Sequence, residues 1–327
     1  MTEPVVHVVH ENPEWFGVFA EHLQAQGVPY REWLLTGGDV DLSQPAPPGV
    51  YWSRFSASSH TRGHEHAKEH SRAVLAWAAA SGRRVVNGAS VLALEVSKVL
   101  QLTALQAAGI EVPRTRAVVG AEHLLEAAET FPAPFVTKHN QGGKGIGVRR
   151  YESAADLARE LADGDHPEPV DGVTLLQEYV APADGTITRV EIVDGEVVYA
   201  IRGDTARGGF QLCPADACAI DPATGRPVAP YGATLAIDPS LPIFTLREDV
   251  PPDLVRAYLA FTAAHGIEIA GIEFLEAADG RLLTYDVNTN TNYNPAVEAV
   301  AQRSGPGSIA AFLGRLLAEE REGEGRP

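Results

Sequence analysis

The stretch TKHNQGGKGIGV, Thr137 to Val148, sets Lys138 and Lys144 among Gly142, Gly143, Gly145 and Gly147. A backbone this permissive beside positive charge suits phosphate, which backbone N–H groups and a cation can cradle together. Yet the stretch is neither G-x-x-x-x-G-K-[ST] nor a G-x-G-x-x-G that opens a helix. It is therefore a plain surface hairpin or part of another nucleotide-binding architecture. The only lysines are Lys68, Lys98, Lys138 and Lys144, and two of them fall here. Coding bias toward arginine is the ordinary explanation, but lysine is a flexible point charge and arginine a planar fork, so a site can require one and not the other.

A second constellation lies in GIEFLEAADGRLLTYDVNTNTNYN. Asp286 and Asn288, two apart on a strand, face the same side, and Glu273 on the partner strand can join them. Three hard oxygen ligands suit Mg²⁺, which leaves its other positions to phosphate and water. The alternative is a solvated hairpin face. Asparagine is a poor strand former, so Asn288, Asn290, Asn292 and Asn294 at alternate positions favour a built polar site, the last three facing substrate. The strand VTLLQEYV ends in Gln177, Glu178, Tyr179 and Val180, an edge that could offer backbone groups to an adenine. Arg189, Arg202 and Arg207 could bind a carboxylate or a transferring phosphoryl group; any single one of them reads better as a surface arginine. HAKEH, His66 to His70, matches the zinc pattern H-x-x-E-H and puts both histidines on one helical face. A polar helix start beside a cleft explains it as well. CPADAC, with Cys213 and Cys218, has the wrong spacing for C-x-x-C and reads as a structural loop.

These residues need elements to hold them. The first third alternates strands (PVVHVV, PYREWLL, VYWSRF, RRVVNG) with helical patterns, one starting at Asn12 as N-cap with Pro13 and ending at Gly27, another over His64 to Ala80. This rhythm predicts a small parallel sheet covered by helices, ending near residue 95. SVLALEVSKVLQLTALQAAGI predicts one helix stopped at Gly109. PFVTKHN and IGVRRYE predict a hairpin joined by the glycine stretch. TRVEIVDGEVVYAIRG and AGIEFLEAADGRLLTYDVN predict hairpins turning at Asp194-Gly195 and Asp279-Gly280. The expected organisation is an N-terminal α/β unit over 1–95, an α+β unit over 96–180, a second over 181–318, and a frayed tail over 319–327.

The bulk numbers narrow the function classes. The 327 residues carry a formal charge of −17 from 26 basic and 43 acidic side chains, which argues against nucleic acid as the main partner. No apolar run reaches the roughly 20 residues a bilayer requires, and the N-terminus lacks the features of a signal peptide. Two cysteines suit a reducing compartment. A cytoplasmic protein acting on small molecules is the expectation, with self-association into a homo-oligomer left open.

In order, SKVLQLTALQAAGIEVPRT, PFVTKHNQGGKGIGV, LLQEYV, ITRVEIVDGEVVYAIRGD and GIEFLEAADGRLLTYDVNTN resemble the ATP-grasp carboxylate–amine ligases, most closely the RimK-like α-L-glutamate ligases. The resemblance covers roughly residues 85 to 300. It implies an ATP-grasp fold, α/β and α+β, with a small parallel-sheet domain in front. It implies ATP and Mg²⁺ as cofactors, with two ions and with Mn²⁺ as an alternative. By the same analogy Lys98 and Lys138 contact phosphates, Gly142 to Gly147 close over them with Lys144, and Gln177, Glu178, Tyr179 and Val180 frame adenine. Glu273, Asp286 and Asn288 hold the metal, and Arg189, Arg202 and Arg207 stabilise the phosphoryl group or acyl intermediate. The chain departs from the pattern where relatives carry a ribose-binding acid: Ile187 and Thr188 stand there, with Glu178 or Asp184 as substitutes. RGGF from Arg207 replaces the polar pair that follows the phosphate-binding arginine. The implied chemistry is an acylphosphate attacked by an amine to give an amide, with substrates among amino acids and small peptides, glutamate among them. An ATP-grasp kinase would share every ATP residue; a zinc peptidase and a non-catalytic nucleotide sensor are the readings from other classes.

Overall fold

The computed structural model describes residues 3–143, 145, 147–205 and 243–324. Lys144, Arg207, Cys213 and Cys218 thus lie outside the described residues. Strands β1 (Val5–His10), β2 (Tyr30–Leu34), β3 (Gly49–Arg54) and β4 (Arg84–Val86) form a parallel sheet in the order β2-β1-β3-β4. β3 is buried along its whole length and β1 nearly so, as central strands covered on both faces must be. The helix expected from Asn12 is split. Asn12 accepts from Glu14 N–H and Pro13–Trp15 forms a short 3-10 turn, after which α1 (Gly17–Ala25) sends Phe19 and Leu23 into the core. Helix α2 (Ala67–Ala80) starts at Ala67 rather than His64.

The single helix expected before Gly109 is also two, α3 (Ala89–Glu95) and α4 (Lys98–Ala107). Between them Ser97 takes an extended backbone and its hydroxyl accepts from Leu100 N–H at 3.3 Å. A serine cap starts a new helix where apolar spacing alone reads straight through. The break leaves Lys98 as the first residue of α4.

A second sheet has strands β5 (Thr115–Val119), β6 (Phe135–His139), β7 (Arg149–Tyr151) and β8 (Val173–Glu178), in the antiparallel order β5-β8-β6-β7. Helices α5 (Leu124–Glu129) and α6 (Ala154–Asp163) pack on it through Leu124, Ala128 and Leu157. The third sheet is antiparallel, with β9 (Pro182–Val193), β10 (Glu196–Asp204), β11 (Phe244–Leu246), β12 (Ile269–Ala277) and β13 (Leu282–Asn288) in the order β11-β10-β9-β12-β13. Asp194 and Gly195 both have positive φ, 54° and 72°, the backbone a two-residue hairpin turn demands. One face of this sheet buries Leu102 and Leu105 of α4 with Tyr258 and Phe261 of α7 (Pro252–His265).

After the short α8 (Pro295–Glu298), α9 (Gly305–Glu324) returns to the first sheet. Ile309, Phe312 and Leu313 share a core with Val6, Val8, Phe19 and Trp52, and Val193 and Ile269 of the third sheet join them. α9 continues to Glu324, into the segment 319–327 expected to fray: Arg315 pairs with Glu319 at 3.0 Å and Arg321 donates to Pro4 C=O at 3.1 Å. Asn87, with φ 51°, fastens the first sheet to the third. Its amide donates to Ile269 and Thr289 C=O at 2.8 and 3.2 Å and accepts from Glu268 and Ile269 N–H at 3.0 and 3.3 Å.

Candidate active site

The sheets enclose a cavity of about 570 Å³, within the range of small-ligand sites. Its charged surface is built by register. β9, β12 and β13 align Arg189, Glu273 and Asp286 in one cross-strand row and Glu191, Gly271 and Asn288 in the next. Arg189 lies along this surface, 2.7 Å from Glu191 and 3.6 Å from Glu273. Gly271 makes the room, because a Cβ there would sit 2.2 Å from Arg189 Nε. Asn288 Nδ2 donates to Glu273 Oε1 at 3.1 Å, and Lys98 is ion-paired with Asp286. Between Glu273 and Phe274 the register slips by one residue, so Tyr285 is extra in β13. A bulge re-aims side chains; here Tyr285 and Asp286 both line the cavity, and the Tyr285 hydroxyl hydrogen-bonds to Glu273.

Electrostatics follow from this crowding. Burial, then Asp286, push the Glu273 carboxyl up to about 7. Burial works against the Asp286 carboxylate as well, but Lys98 and Lys138 outweigh it and hold it below the usual range. Lys138, near the end of β6, is drawn down to about 7 by burial and then by Lys98. Two carboxylates facing each other with the oxygen-bearing Asn288 beside them fit a hard divalent cation, which would relieve the repulsion that raises Glu273. Among the described residues no group of three or more His, Cys, Asp and Glu is placed to hold a metal. The zinc reading of His66 and His70 therefore lacks a third ligand of those types; an asparagine completes the set on β12 and β13. The start of α2 instead borders the cavity loop: Lys68 donates to Gln141 at 2.9 Å.

The structure also brings Gly142, Gly143 and Gly145 to the cavity, with Gly143 close to Ser58 of the first unit. Gly147 packs on His139, where a Cβ would stand 3.0 Å from the imidazole. Gln177, Glu178, Tyr179 and Val180 line the cavity as well, with the apolar side chains of Val136, Ile187 and Leu275. Arg150 stacks over Tyr179, 3.9 Å from the ring centroid. Neither substitute for a ribose-binding acid is idle. Glu178 Oε1 accepts from Arg114 N–H at 2.8 Å and Arg281 at 3.2 Å, and Asp184 Oδ1 accepts from Thr186 N–H and hydroxyl at 2.9 and 2.8 Å. Ile187 fills the expected place on the wall.

Two expected residues stand elsewhere. Arg202 pairs in register with Thr188, so it shares that residue's face and not the face of Arg189; it lies 3.4 Å from Asp249, off the cavity wall. Asn294 caps α8, accepting from Ala296 and Val297 N–H at 3.0 and 3.1 Å, whereas Asn290 and Asn292 do line the cavity. Residues that sequence reasoning missed complete the wall: Trp15, Ser56 and Ser58 at the carboxyl ends of β1 and β3, together with Glu95, Gln101 and Tyr285. A parallel sheet places its ligand crevice at such strand ends, a signal available from the strand order alone. Arg54 links this wall to the asparagine run, donating to Thr291 C=O at 2.9 Å and Asn292 Oδ1 at 3.1 Å.

Residues 95–213 match the model of the RimK-like ATP-grasp domain. The chain carries a RimK-like ATP-grasp domain. The chain is similar to a probable alpha-L-glutamate ligase of Mannheimia succiniciproducens, 28% identical over 236 residues that span 71% of this chain and 67% of that one. Among solved structures, the ATP-grasp ligase PsnB with its minimal precursor superposes with a TM-score of 0.62 at 18% identity, covering 95% of this chain and 99% of that one. D-cycloserine synthetase DcsG gives the same TM-score of 0.62 and identity of 18%, with 95% and 99% covered. These likenesses establish the ATP-grasp fold. Among the described residues no helix is long and apolar enough to cross a membrane.

Proposed function

We propose that the cavity binds ATP with Mg²⁺ and joins the carboxylate of an amino acid or short peptide to an amine through an acylphosphate. The observation that carries this reading is the row Arg189, Glu273 and Asp286 with Lys98 and Lys138, in a cavity that Val136, Tyr179, Val180 and Leu275 also line. Phosphates belong beside the charged row and the adenine between Val136, Tyr179, Val180 and Leu275. Glu273, Asp286 and Asn288 would hold Mg²⁺, which supplies neutralising charge for the phosphates. PsnB has been solved with Mg and ADP, which supports the cofactor pair.

The substrate carboxylate oxygen attacks the γ-phosphorus and ADP leaves. The amine nitrogen then attacks the acyl carbon, the carbon–oxygen bond to phosphate breaks, and the nitrogen loses a proton. Lys98, Lys138 and Arg189 hold the charge that shifts in the first step. The glycine segment with Lys144 excludes water from the acylphosphate. Trp15, Ser56, Ser58, Asn290 and Asn292 form the substrate wall, so residues 1–95 act as the substrate side and 96–180 and 181–318 as the two walls around ATP. The relative named for glutamate ligation and PsnB with its precursor support substrates among amino acids and peptides. A screen of amino acid and peptide pairs for phosphate release, with mass detection, tests this. Amide, ADP and phosphate are expected; a stable phosphorylated product would make the protein a kinase instead.

A further inference from the structure

β13 is an edge strand among the described residues, and Val287, between Asp286 and Asn288, turns its N–H and C=O away from β12. A single side chain on α4 takes both groups. Val287 N–H donates to Gln101 Oε1 at 3.2 Å, and Gln101 Nε2 donates to Val287 C=O at 3.0 Å. The same nitrogen donates to Leu94 C=O in α3 at 2.9 Å. Gln101 is 2% exposed, so its amide is spent on backbone. One side chain thus stands in for a neighbouring strand and fastens β13 to the α3–α4 joint.

We propose that Gln101 is a positioning residue for the divalent cation: by fixing the Val287 backbone it sets Asp286 and Asn288 on either side. This rests on the metal-binding reading of Glu273, Asp286 and Asn288. Edge capping alone would be served at any strand position. Here the amide acts at the one residue flanked by two ligands, in a contact that also holds the Lys98–Asp286 ion pair and buries Leu102, Leu105 and Val287 in one cluster. Glu95 continues the arrangement, accepting from Thr289 N–H and hydroxyl at 2.8 Å each. Side chains that orient metal ligands typically carry about 10–100-fold in metal affinity.

The test is Mn²⁺ titration of the full chain with ADP, read by the electron paramagnetic resonance signal of free Mn²⁺, beside thermal unfolding and metal-free ADP binding. Q101M is isosteric but cannot pair the backbone. Q101A leaves room for water to satisfy Val287, so it keeps the test open if Q101M does not fold. Both variants are expected to weaken Mn²⁺ binding about 10-fold or more with ADP affinity unchanged. Wild-type Mn²⁺ affinity in a folded variant, whatever the fall in melting temperature, overturns the proposal. If Asp286→Asn binds Mn²⁺ as the wild type does, the metal reading itself fails and this inference with it.

Discussion

At the scale of single residues, Lys138 and Lys144 differ in kind although the sequence shows them as a pair. Lys138 is buried on β6 beside Lys98 and Asp286, whereas Lys144 belongs to the glycine segment. Lys138→Ala is expected to cut kcat on the order of 10²–10³-fold, the size of losing one fixed transition-state charge contact; Lys144→Ala should mainly raise KM for ATP. Steady-state kinetics on the two variants decide the matter, and equal effects would refute the distinction. A second prediction concerns His10, whose imidazole burial and then Arg54 hold down at about 4, from an ordinary 6.5. The unfolded chain then binds a proton near pH 6.5 that the folded chain refuses, so stability falls as pH drops from about 7 toward 4. At pH 5 this group's share is on the order of 2 kcal/mol. His10→Asn should remove that slope, so the wild type loses ground to the variant between pH 7 and pH 5 in urea unfolding. Lys138 was legible because lysine is scarce; Gln101 and Tyr285 were not, since their roles depend on a strand edge and a bulge that no local pattern announces.

At the scale of elements, β12 matters for what it omits. Gly271 is the one position of the charged surface where a Cβ would strike Arg189. Gly271→Ala is therefore expected to displace Arg189 and lower kcat on the order of 10²-fold, with substrate KM and ADP binding little changed; unchanged kcat would show that Arg189 does not serve the reaction. The hairpins were readable because turn residues and alternation are local signals: Asp194-Gly195 turns where expected. The helices were read less well. Apolar spacing runs through Ser97, and only competition between its hydroxyl cap and the continuing helix creates the break that sets Lys98 against Asp286. Arg202 stands apart from Arg189 for a related reason, since facing is fixed by register with β9 and not by proximity in sequence.

At the scale of the whole molecule, α9 ties the end of the chain to its beginning. Leu313 is fully buried between α9 and the first sheet. Leu313→Ala is expected to cost 2–5 kcal/mol by denaturant unfolding; a change under about 0.5 kcal/mol, typical of surface sites, would contradict that packing. The order of parallel-sheet unit, glycine hairpin and final carboxylate hairpin was legible, because each has its own periodicity. The shared core of the first and third sheets was not, since it joins residues separated by most of the chain. The central claim is that this whole assembly exists to make and protect an acylphosphate. Its most direct test uses a carboxylate substrate labelled with ¹⁸O, ATP and an amine, followed by the mass of the released phosphate. The acylphosphate route requires one ¹⁸O in the phosphate for each amide and ADP formed; amide formed with unlabelled phosphate would contradict it.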